Sequence, residues 1–450
     1  MKAQYQKIYE ELAEKIRNGS FPAGSRLPTE PVMAKEFGVS VGTLRKAIDR
    51  LVLEKKVKRE QGRGTFVTSA ASVPQFYTHP VKNSEFVYGA CQYLGDQEQV
   101  NQIMLRDESN CKYQILPSPL DIKPILSSLY NQCSVIQAPL TAFNEMKDFF
   151  QPLPEELFED IPEPLLQQCR CVDGKLRVFP IIRNQTLCYI NRNNADRYKI
   201  KIPGDDWTLE EMVTMCEQFR KADPSVTPFG ILPLGSLWFD VLLWYFGGDF
   251  FDRWGNVWLP DEPFFKTIHF YREMLRSRNG VSITSMPGTS IREFIQKPHV
   301  QMCFFGPRGC MDSKPGEMEV HPLPGRIGSC VIFALGIPCN APLPKKALNF
   351  LKKLKDHRLA EIRSAAPAAK TDIELWCKKQ TVRRAELFME FPEKQHCLSS
   401  TPHYYRWVTP VYQMINYTPD ESIPVENIHR DIQNILRDAL RVNVSDTFWT

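Results

Sequence analysis

Apolar positions at the start of the chain recur at helical spacing and predict an amphipathic first helix that buries one face. They are Tyr5, Ile8, Leu12 and Ile16. A second short helix is predicted after Thr29, its N-cap, with Pro31 in the first turn, where a missing N–H costs little. Gly38 then permits a sharp turn, and Ser40 is the predicted N-cap of a third helix. Helix, turn and helix in this order are typical of a helix-turn-helix.

Residues 57–67 predict a two-stranded hairpin with a basic, glycine-rich tip at Gly62-Arg63-Gly64. A hairpin that follows a helix-turn-helix would be a wing. We therefore expect an α+β winged helix domain in residues 1–70. Residues 71–84 are the expected linker, because turn-forming residues gather there.

Beyond the linker, short apolar runs alternate with helical stretches, which is typical of α/β units in open sheets. The predicted strands lie within 86–88, 113–116, 133–138, 179–182 and 188–190. Helices are predicted at 121–130, 208–222, 343–362 and 424–442, and Thr208 is the N-cap of the second of them. Residues 85–450 are therefore expected to form an α/β body.

Positive charge is concentrated at the N-terminus. Residues 1–70 contain 14 Lys and Arg against 8 Asp and Glu, whereas the whole chain of 450 residues contains 56 against 52. The N-terminal segment is thus suited to a polyanionic partner and the rest of the chain is not. The length also exceeds what one ordinary core holds, which favours two or more domains.

The sequence also bears on cellular location and on metal binding. No stretch approaches the roughly 18 consecutive apolar residues of a membrane helix, and residues 1–20 have no apolar signal-peptide core. The 13 cysteines are odd in number, and Cys169 and Cys171 are one residue too close for the usual zinc pair. We expect a cytoplasmic protein without a membrane span, a disulfide framework, a metal or a cofactor.

Residues 5–67 resemble the winged helix-turn-helix of the GntR regulators. Four elements carry the resemblance in the family's order: a leading helix, Leu27-Pro28-Thr29-Glu30, Ser40-x-x-Thr43-Leu44-Arg45-x-Ala47 and Gly62-x-Gly64-Thr65-Phe66-Val67. The chain departs from the family at Pro31, Val41 and Gly42, where relatives often carry arginine or threonine. Two potential DNA contacts are therefore missing, and we expect a different or more weakly bound operator.

The resemblance implies that this domain binds double-stranded operator DNA. The third helix would enter the major groove, and Arg45 would pair with a guanine edge or clamp a phosphate. Arg26, Thr29 and Glu30 would lie beside the DNA backbone, and the wing tip would lie near the minor groove. The candidate DNA-binding residues are Arg26, Thr29, Glu30, Ser40, Thr43, Arg45, Lys46, Gly62, Arg63 and Gly64.

Residues 85–440 resemble the extracellular solute-binding proteins of sugar ABC transporters. The segments that carry the resemblance follow the family's order and include Asp173-Gly174-Lys175, Phe179-Pro180, Tyr189-x-Asn191-Arg192, Trp207-Thr208-Leu209-Glu210-Glu211, Phe246-Gly247-Gly248-Asp249-Phe250-Phe251-Asp252, Met302-x-Phe304-Phe305-Gly306-Pro307 and Pro322-Leu323-Pro324-Gly325. The resemblance implies a periplasmic-binding-protein-like (type II) fold, in which two α/β lobes joined by crossing segments close on a ligand.

Sugars bind in such clefts through aromatic rings against their C–H faces and polar groups against their hydroxyls. On the loops that line the family's cleft, the candidate ligand-binding residues are Arg183, Asn184, Trp238, Arg308, Tyr405 and Trp407. Each aromatic side chain could equally belong to the core. Arg308 stands where sugar binders commonly have an aromatic residue, which would suit a ligand with a carboxylate or more hydroxyls, or would mean that the stacking site is lost.

The predicted function is a ligand-responsive transcription regulator, not an enzyme, that binds operator DNA as a homodimer and a carbohydrate between its lobes. A second hypothesis is a GntR-type regulator with a pyridoxal-phosphate aminotransferase-like body, suggested by Ser313-Lys314 and the chain length, although Thr401-Pro402-His403 follows that lysine instead of preceding it. A glycosidase that uses Asp249 and Asp252 is a third hypothesis, and a sugar-binding protein without a regulatory role is a fourth.

Overall fold

The computed structural model describes residues 4–441 with interruptions. Within that span, the residues outside the description are 18–20, 22–24, 54–56, 61–63, 68–84, 92–96, 109, 117–131, 145–148, 172–173, 233–237, 253, 284–298, 310–315, 392–393, 398–402, 417 and 420. The described residues separate into two compact units: the first comprises the residues up to Val67 together with Leu440 and Arg441, and the second runs from Glu85 to Ala439. The predicted linker and the helix predicted at 121–130 lie outside the described residues.

The described part of the first unit consists of helices and a hairpin. They are α1 (Gln4–Arg17), α2 (Glu30–Glu36), α3 (Val41–Leu53), β1 (Val57–Glu60) and β2 (Gly64–Val67). The apolar face of α1 is buried at Ile8, Leu12 and Ile16, and it packs in one cluster with the apolar face of α3. Tyr5 is 36% exposed. Its expected burial was wrong, because the packed face of α1 begins one turn later.

Helices α2 and α3 differ in their N-terminal capping hydrogen bonds. The Oγ atom of Ser40 accepts a hydrogen bond from the Thr43 backbone N–H at 3.1 Å, which confirms the predicted N-cap of α3. Thr29 occupies the N-cap position of α2, but its side chain makes no capping hydrogen bond. Gly38 has a φ of +62°, a left-handed conformation that glycine adopts without steric strain. The tight turn predicted between α2 and α3 is therefore present.

The predicted wing is a hairpin with a third extended segment beside it. Strands β1 and β2 pair antiparallel, with Arg59 opposite Thr65. The Leu27 N–H donates to the Thr65 carbonyl at 2.8 Å, and the Val67 N–H donates to the Ser25 carbonyl at 2.9 Å. The segment that leads into α2 is thus fixed along the free edge of β2.

Strands alternate with helices along the second unit, as the sequence predicts. Its strands are β3 (Phe86–Cys91), β4 (Cys111–Leu116), β5 (Val135–Pro139), β6 (Val178–Gln185), β7 (Leu187–Asn191), β8 (Thr227–Ile231), β9 (Gly280–Ser282), β10 (Val300–Phe305), β11 (Met318–His321), β12 (Ile327–Gly336) and β13 (Lys394–Cys397). Its helices are α4 (Gln97–Met104), α5 (Leu140–Asn144), α6 (Glu163–Cys169), α7 (Arg192–Arg197), α8 (Leu209–Ala222), α9 (Trp238–Tyr245), α10 (Asp261–Arg276), α11 (Pro344–Lys353), α12 (Lys370–Lys378), α13 (Tyr404–Asn416) and α14 (Val425–Arg441). Among the helices of the described residues, none combines the length and the apolar character that crossing a bilayer requires.

Apart from the helix at 121–130, which lies outside the described residues, the predicted elements of the body agree with the observed ones with one exception. The five predicted strands fall on β3 to β7. The predicted N-cap of α8 is a capping box, in which the Glu211 N–H donates to Thr208 Oγ1 at 3.2 Å and the Thr208 N–H donates to Glu211 Oε2 at 2.8 Å. The helix predicted at 343–362 is shorter, because α11 ends at Lys353 and short 3-10 turns follow it.

One sheet of the described residues forms the first lobe. Its order is β13-β12-β5-β3-β4, and β6 also pairs with β12. Strand β3 runs parallel to β4 and β5, whereas β12 runs antiparallel to β5 and β6. The rings of Phe86 and Tyr88 lie 5.4 and 6.0 Å from the ring of Phe350. Helix α11 therefore covers one face of this sheet.

The other sheet, in the order β11-β7-β10-β8-β9, forms the second lobe. Its strands bury alternate residues on opposite faces, as the period of two requires. Leu187 and Tyr189 pack in a cluster with Trp376 of α12, whereas Cys188 and Ile190 pack in a cluster with α8 and α9. Both faces of this sheet are thus covered by helices.

The chain crosses between the lobes more than once. It crosses where β6 leads into β7 at Thr186, where β11 leads into β12, and between Met389 and β13, and before the last of these it passes from α11 in the first lobe to α12 on the second. Arg326, in the second crossing, lies 3.3 Å from the carboxylate of Glu390 in the third. The described residues therefore confirm the predicted architecture of a winged helix domain and a two-lobed α/β body.

Candidate functional sites

Helix α3 has a buried face and a polar face. The buried side chains, each at 0% exposure, are Leu44, Ala47, Ile48 and Leu51. On the polar side, Arg45 and Lys46 are exposed, and the hydroxyls of Ser40 and Thr43 lie 2.9 Å apart. The N-terminal part of α3 thus presents two hydroxyls and two cations, which are groups that recognition helices use against DNA.

The carboxylate of Glu30 binds two arginine side chains. Its Oε2 atom accepts a hydrogen bond from Arg45 Nε at 2.9 Å, and its Oε1 atom accepts one from Arg59 Nη2 at 3.0 Å. Arg59 also pairs with Asp49 Oδ1 at 2.5 Å. The hydrogen bond to Glu30, together with its charge, raises the pKa of Arg45. Helix α2, helix α3 and the wing are therefore joined by one ion-pair network at the surface.

Arg26 lies against the start of β2. Gly64 has a φ of +118°, and a Cβ atom at this position would lie 2.6 Å from Arg26 Nε. Glycine is therefore favoured here by the backbone conformation, whereas the atoms close to it belong to the flexible end of the Arg26 side chain. Thr29 is exposed. Gly62 and Arg63 lie outside the described residues, so the contacts expected of the wing tip stay predictions.

Sequence reasoning missed the role of Arg59. The signal was present, because Lys58 and Arg59 are consecutive cations in a predicted strand. Successive residues of a strand point to opposite faces, and the sequence does not show which face meets α2. The pairing of Arg59 with Glu30 became visible only in the folded domain.

In the body, Arg183 lies in β6, three residues before the lobe crossing at Thr186, and is 2% exposed. Its guanidinium donates to the side chain of Gln185, to the main-chain carbonyl of Glu390 and to that of Met389 at 3.4 Å. It also lies 3.8 Å from the ring centroid of Phe391. Burial lowers the pKa of Arg183. These contacts tie the first crossing to the third, and contact of Arg183 with a ligand stays a prediction.

Polar atoms without partners gather next to this crossing. Asn184 lies opposite Val331 in the β6–β12 pair, and His396 lies opposite Ser329 in the β12–β13 pair. Ser329 and Val331 share one face of β12, because they are two residues apart. Val331 packs against the α8–α9 side of the second lobe. Among the described residues, the buried Oδ1 of Asn184 and Oγ of Ser329 on this face have no hydrogen-bond partner.

Trp244 and His396 stack across the two lobes. Their ring centroids lie 4.3 Å apart with an angle of 10° between the planes. Trp244 is 8% exposed, and its Nε1–H has no acceptor among the described residues. His396 Nδ1 lies 3.4 Å from Asp249 Oδ2. We call Asn184, Trp244, Asp249, Ser329 and His396 the interlobe cluster. Flat rings beside unsatisfied donors and acceptors are the groups that a polyhydroxylated ligand requires.

Trp238 and Trp407 occupy core positions. Trp238 is 1% exposed, with its ring 4.8 and 5.2 Å from those of Phe229 and Phe304. Trp407 is 0% exposed and lies 5.1 Å from the ring of Phe250. In this structure both rings therefore take the core position that the sequence left open, and their contact with a ligand stays a prediction.

For Arg308 and Tyr405, the two remaining candidate ligand-binding residues, no contact that would indicate a ligand site is seen among the described residues. Arg308 is half-buried in the turn after β10. The Tyr189 hydroxyl donates to the Gly306 carbonyl at 2.8 Å, and Gly309 approaches the Tyr189 ring closely, which fixes this turn. The backbone of Tyr405 lies in α13, and its side chain lies outside the described residues.

Of the residues in the two enzyme hypotheses, Asp249 belongs to the interlobe cluster, Asp252 closes a turn, and Ser313 and Lys314 fall outside the description. The carboxylate of Asp252 accepts hydrogen bonds from the backbone N–H groups of Trp254 and Asn256, both at 2.9 Å, and from Asn256 Nδ2 at 3.0 Å. These bonds lower the pKa of Asp252 and close a turn. Ser313 and Lys314 lie outside the described residues.

The comparison with known families agrees with the geometry of the first unit. Residues 4–67 match the model of a family described as bacterial regulatory proteins, gntR family. Residues 4–67 are a gntR-family domain. A stretch of 95 residues that is 33% identical to the HTH-type transcriptional regulator GmuR of Bacillus subtilis (strain 168) covers 21% of this chain and 39% of GmuR. A stretch of 66 residues is 39% identical to the mannosyl-D-glycerate transport/metabolism system repressor MngR of Escherichia coli (strain K12), over 15% of this chain and 28% of MngR.

The chain thus spans less than half the length of these two relatives. For the body beyond the GntR domain, the similarity lies in the three-dimensional fold. The body is similar to a solved structure described as maltose-bound T. maritima MalE3, with a TM-score of 0.63 and 15% identity, over 79% of this chain and 99% of that one. At this identity the similarity concerns the fold alone. It confirms that the body has the two-lobed fold of a sugar-binding protein.

Proposed function

We propose that the protein is a transcription regulator that binds operator DNA through its GntR domain and a carbohydrate at the interlobe cluster. It would act as a homodimer in the cytoplasm, with two copies of α3 on half-sites about 34–36 Å apart. The polar face of α3 and the cations held by Glu30 support DNA binding. The relatives GmuR and MngR are described as a transcriptional regulator and a repressor.

The observation that carries the ligand proposal is the interlobe cluster. Its buried Asn184, Ser329 and Trp244 atoms have no partner among the described residues, and an unsatisfied buried polar group is costly. Sugar hydroxyls would satisfy these groups, and the Trp244 ring would offer the ligand an apolar face after the His396 ring that stacks on it has moved aside. The cluster draws side chains from both lobes, so an occupant would favour the arrangement in which the lobes lie close.

Carbohydrate binding is tested with a thermal-shift panel of mono- and oligosaccharides that includes maltose. A ligand that binds only the folded protein raises the melting temperature by mass action. We expect Trp244→Phe, which keeps a ring and removes the Nε1–H, to weaken the affinity of a saccharide hit about tenfold, or ~1.4 kcal/mol. The matched control is Trp258→Phe, because Trp258 is 46% exposed and outside the cluster. Equal effects of the two substitutions, or no saccharide hit, would contradict the proposed site.

DNA binding is tested by selecting sites from random duplexes and measuring their affinity with and without the saccharide hit. A regulator should select a site with two-fold symmetry, and the ligand should change its affinity by roughly 5- to 150-fold, the usual range of allosteric coupling. Arg45→Ala should abolish selection and leave saccharide binding intact. If saccharides bind but no site is selected, the protein is a sugar-binding protein without a regulatory role.

A further inference from the structure

A cavity of ≈ 400 Å³ lies between the first lobe and α12. It is separate from the interlobe cluster. Phe179, which lines it, stands five residues before Asn184 in β6, and at about 3.3 Å per residue the two positions are roughly 16 Å apart. The size falls in the range of small-molecule sites, which is about 300–1,000 Å³.

The walls of the cavity come from both lobes. One wall contains Leu157 and Leu354 of the first lobe, and the other contains the start of α12, whose Ile373 and Trp376 pack on the sheet of the second lobe. Asp160 links the walls, because its carboxylate accepts hydrogen bonds from the backbone N–H of Thr371 at 3.1 Å and from its hydroxyl at 3.2 Å.

A second contact between the walls joins His357 to Asp372. His357 Nδ1 lies 2.9 Å from Asp372 Oδ1, and the Asp372 side chain is 4% exposed. Burial raises the pKa of Asp372, against the opposing effect of His357. A further positive charge that enters the cavity would stabilise the ionised form of this carboxyl, which has only one imidazole beside it.

The lining combines apolar surface with an excess of negative charge. The apolar side chains are Leu157, Ile161, Phe179, Leu354, Leu359 and Ala369. The ionisable side chains include three carboxylates, from Glu159, Asp160 and Asp372, but only one lysine, Lys355, which pairs with Glu159 at 3.2 Å. In the described part of the chain, no group of three or more His, Cys, Asp and Glu side chains is placed to hold a metal ion.

We propose that this cavity is a second ligand site, which binds a small organic ammonium compound with an apolar body. The apolar body would lie against Phe179 and the leucines, and the ammonium group would face Asp160 and Asp372. Since the two walls belong to different lobes, the occupant would also bias the lobe arrangement. The site does not depend on what binds at the interlobe cluster.

The test uses the full chain with 13C-labelled methyl groups and two probes of equal shape, 2-phenylethylammonium and the neutral 2-phenylethanol. We expect saturable shifts of the Leu157, Ile161 and Leu354 methyl signals, with the ammonium compound binding at least about tenfold more tightly, as a charge-assisted contact predicts. Absence of saturable shifts, or equal affinity for the two probes, would overturn the proposal.

Two variants and one control locate the binding. Asp160→Asn keeps an oxygen acceptor for Thr371 and removes the charge, so the preference for the ammonium probe should disappear. Leu157→Phe fills part of the cavity and should weaken both probes, which keeps the proposal testable if the first variant folds poorly. The control is Glu262→Gln, because Glu262 is exposed on α10, where it pairs with Lys266 at 2.7 Å, and does not line the cavity. Wild-type behaviour of both cavity variants would overturn the proposal.

Discussion

The carboxylate of Glu30 lies 2.8 Å from Nη2 of Arg45 and accepts a hydrogen bond from Arg45 Nε at 2.9 Å. A residue of α2 thus orients the arginine with which α3 would contact a base edge, and its second oxygen holds Arg59 of the wing. Arginine reads guanine through a fork of fixed geometry. An arginine already held in one orientation loses less conformational freedom when it binds.

Glu30→Gln is expected to lower DNA specificity and raise non-specific affinity. Without the charge of Glu30, Arg45 and Arg59 are free to contact phosphates, so the slope of log K against log salt concentration should steepen. The ratio of specific to non-specific affinity should fall about tenfold, or ~1.4 kcal/mol. Titration of selected and random duplexes at several salt concentrations measures both quantities. Glu36→Gln is the control, since Glu36 pairs with Lys15 instead, and the same loss of specificity in both variants would contradict the role of Glu30.

Gly64→Ala is expected to loosen the wing. The φ of +118° is unfavourable for alanine, and the added Cβ would displace the Arg26 side chain, at a cost of about 1–3 kcal/mol. The amides of Leu27 and Val67, which pair along the wing, should exchange faster in hydrogen-exchange measurements. At Gly42 the nearest atom to a Cβ is Ser40 Oγ at 3.8 Å. Gly42→Ala should therefore leave the exchange unchanged, and faster exchange there would refute the steric explanation.

Thr208→Ala is expected to lower the free energy of unfolding of the body by about 0.5–2 kcal/mol, because it removes the capping box of α8. All eight tryptophans lie at or beyond Trp207, so tryptophan fluorescence during urea unfolding reports on the body. The control is Thr214→Ala in the same helix. The Thr214 hydroxyl donates to the Glu210 carbonyl one turn earlier, so its loss should change the free energy by less than about 0.5 kcal/mol.

Asp240→Asn is expected to stabilise the body increasingly as the pH rises. Burial raises the pKa of Asp240 from 3.8 to about 7, and the Tyr412 hydroxyl donates to its Oδ2. Between these values the folded protein keeps a proton that the unfolded chain releases, so wild-type stability falls with rising pH, by at most about 1.4 kcal/mol per pH unit. Asparagine does not ionise, and the advantage of the variant should therefore grow from about pH 4 to pH 7 and stay constant above it.

The measurement for Asp240 is urea unfolding of wild type and variant across this pH range. The other titrating groups contribute equally to both proteins, so they cancel in the difference between the two free energies of unfolding. Asp252→Asn provides the comparison, because Asp252 is only partly buried and its pKa is lowered. Its difference from wild type should be flat above about pH 5. A flat difference for Asp240→Asn as well would show that Asp240 is ionised in the folded protein.

Strands that can be predicted from the sequence are stabilised differently from strands that cannot. Strands β5 and β7 are runs of buried residues, so their own composition predicts them. Strand β13, Lys394–Cys397, has no apolar pattern and becomes a strand because it pairs in parallel with Ile327–Cys330, far away in the chain. Pairing at that distance leaves no local signal.

The same distinction applies to the candidate sites. Arg45 and Glu30 follow from a motif, whereas the Trp244–His396 stack depends on the pairing of β13. Trp238 and Trp244 lie on the same helix, and both are aromatic residues in an apolar run. Only the packing of α9 shows that the first is enclosed by Phe229 and Phe304 and that the second meets the opposite lobe.

The first lobe is assembled from distant stretches of the chain, because β5 pairs with β12 and β12 with β13. During synthesis β5 therefore leaves the ribosome long before its partner β12, and β12 leaves before its partner β13, so the sheet is complete only once residue 397 has emerged. The GntR domain is complete at Val67. A nascent chain would thus complete its GntR domain while most of the first-lobe sheet still has to be synthesised.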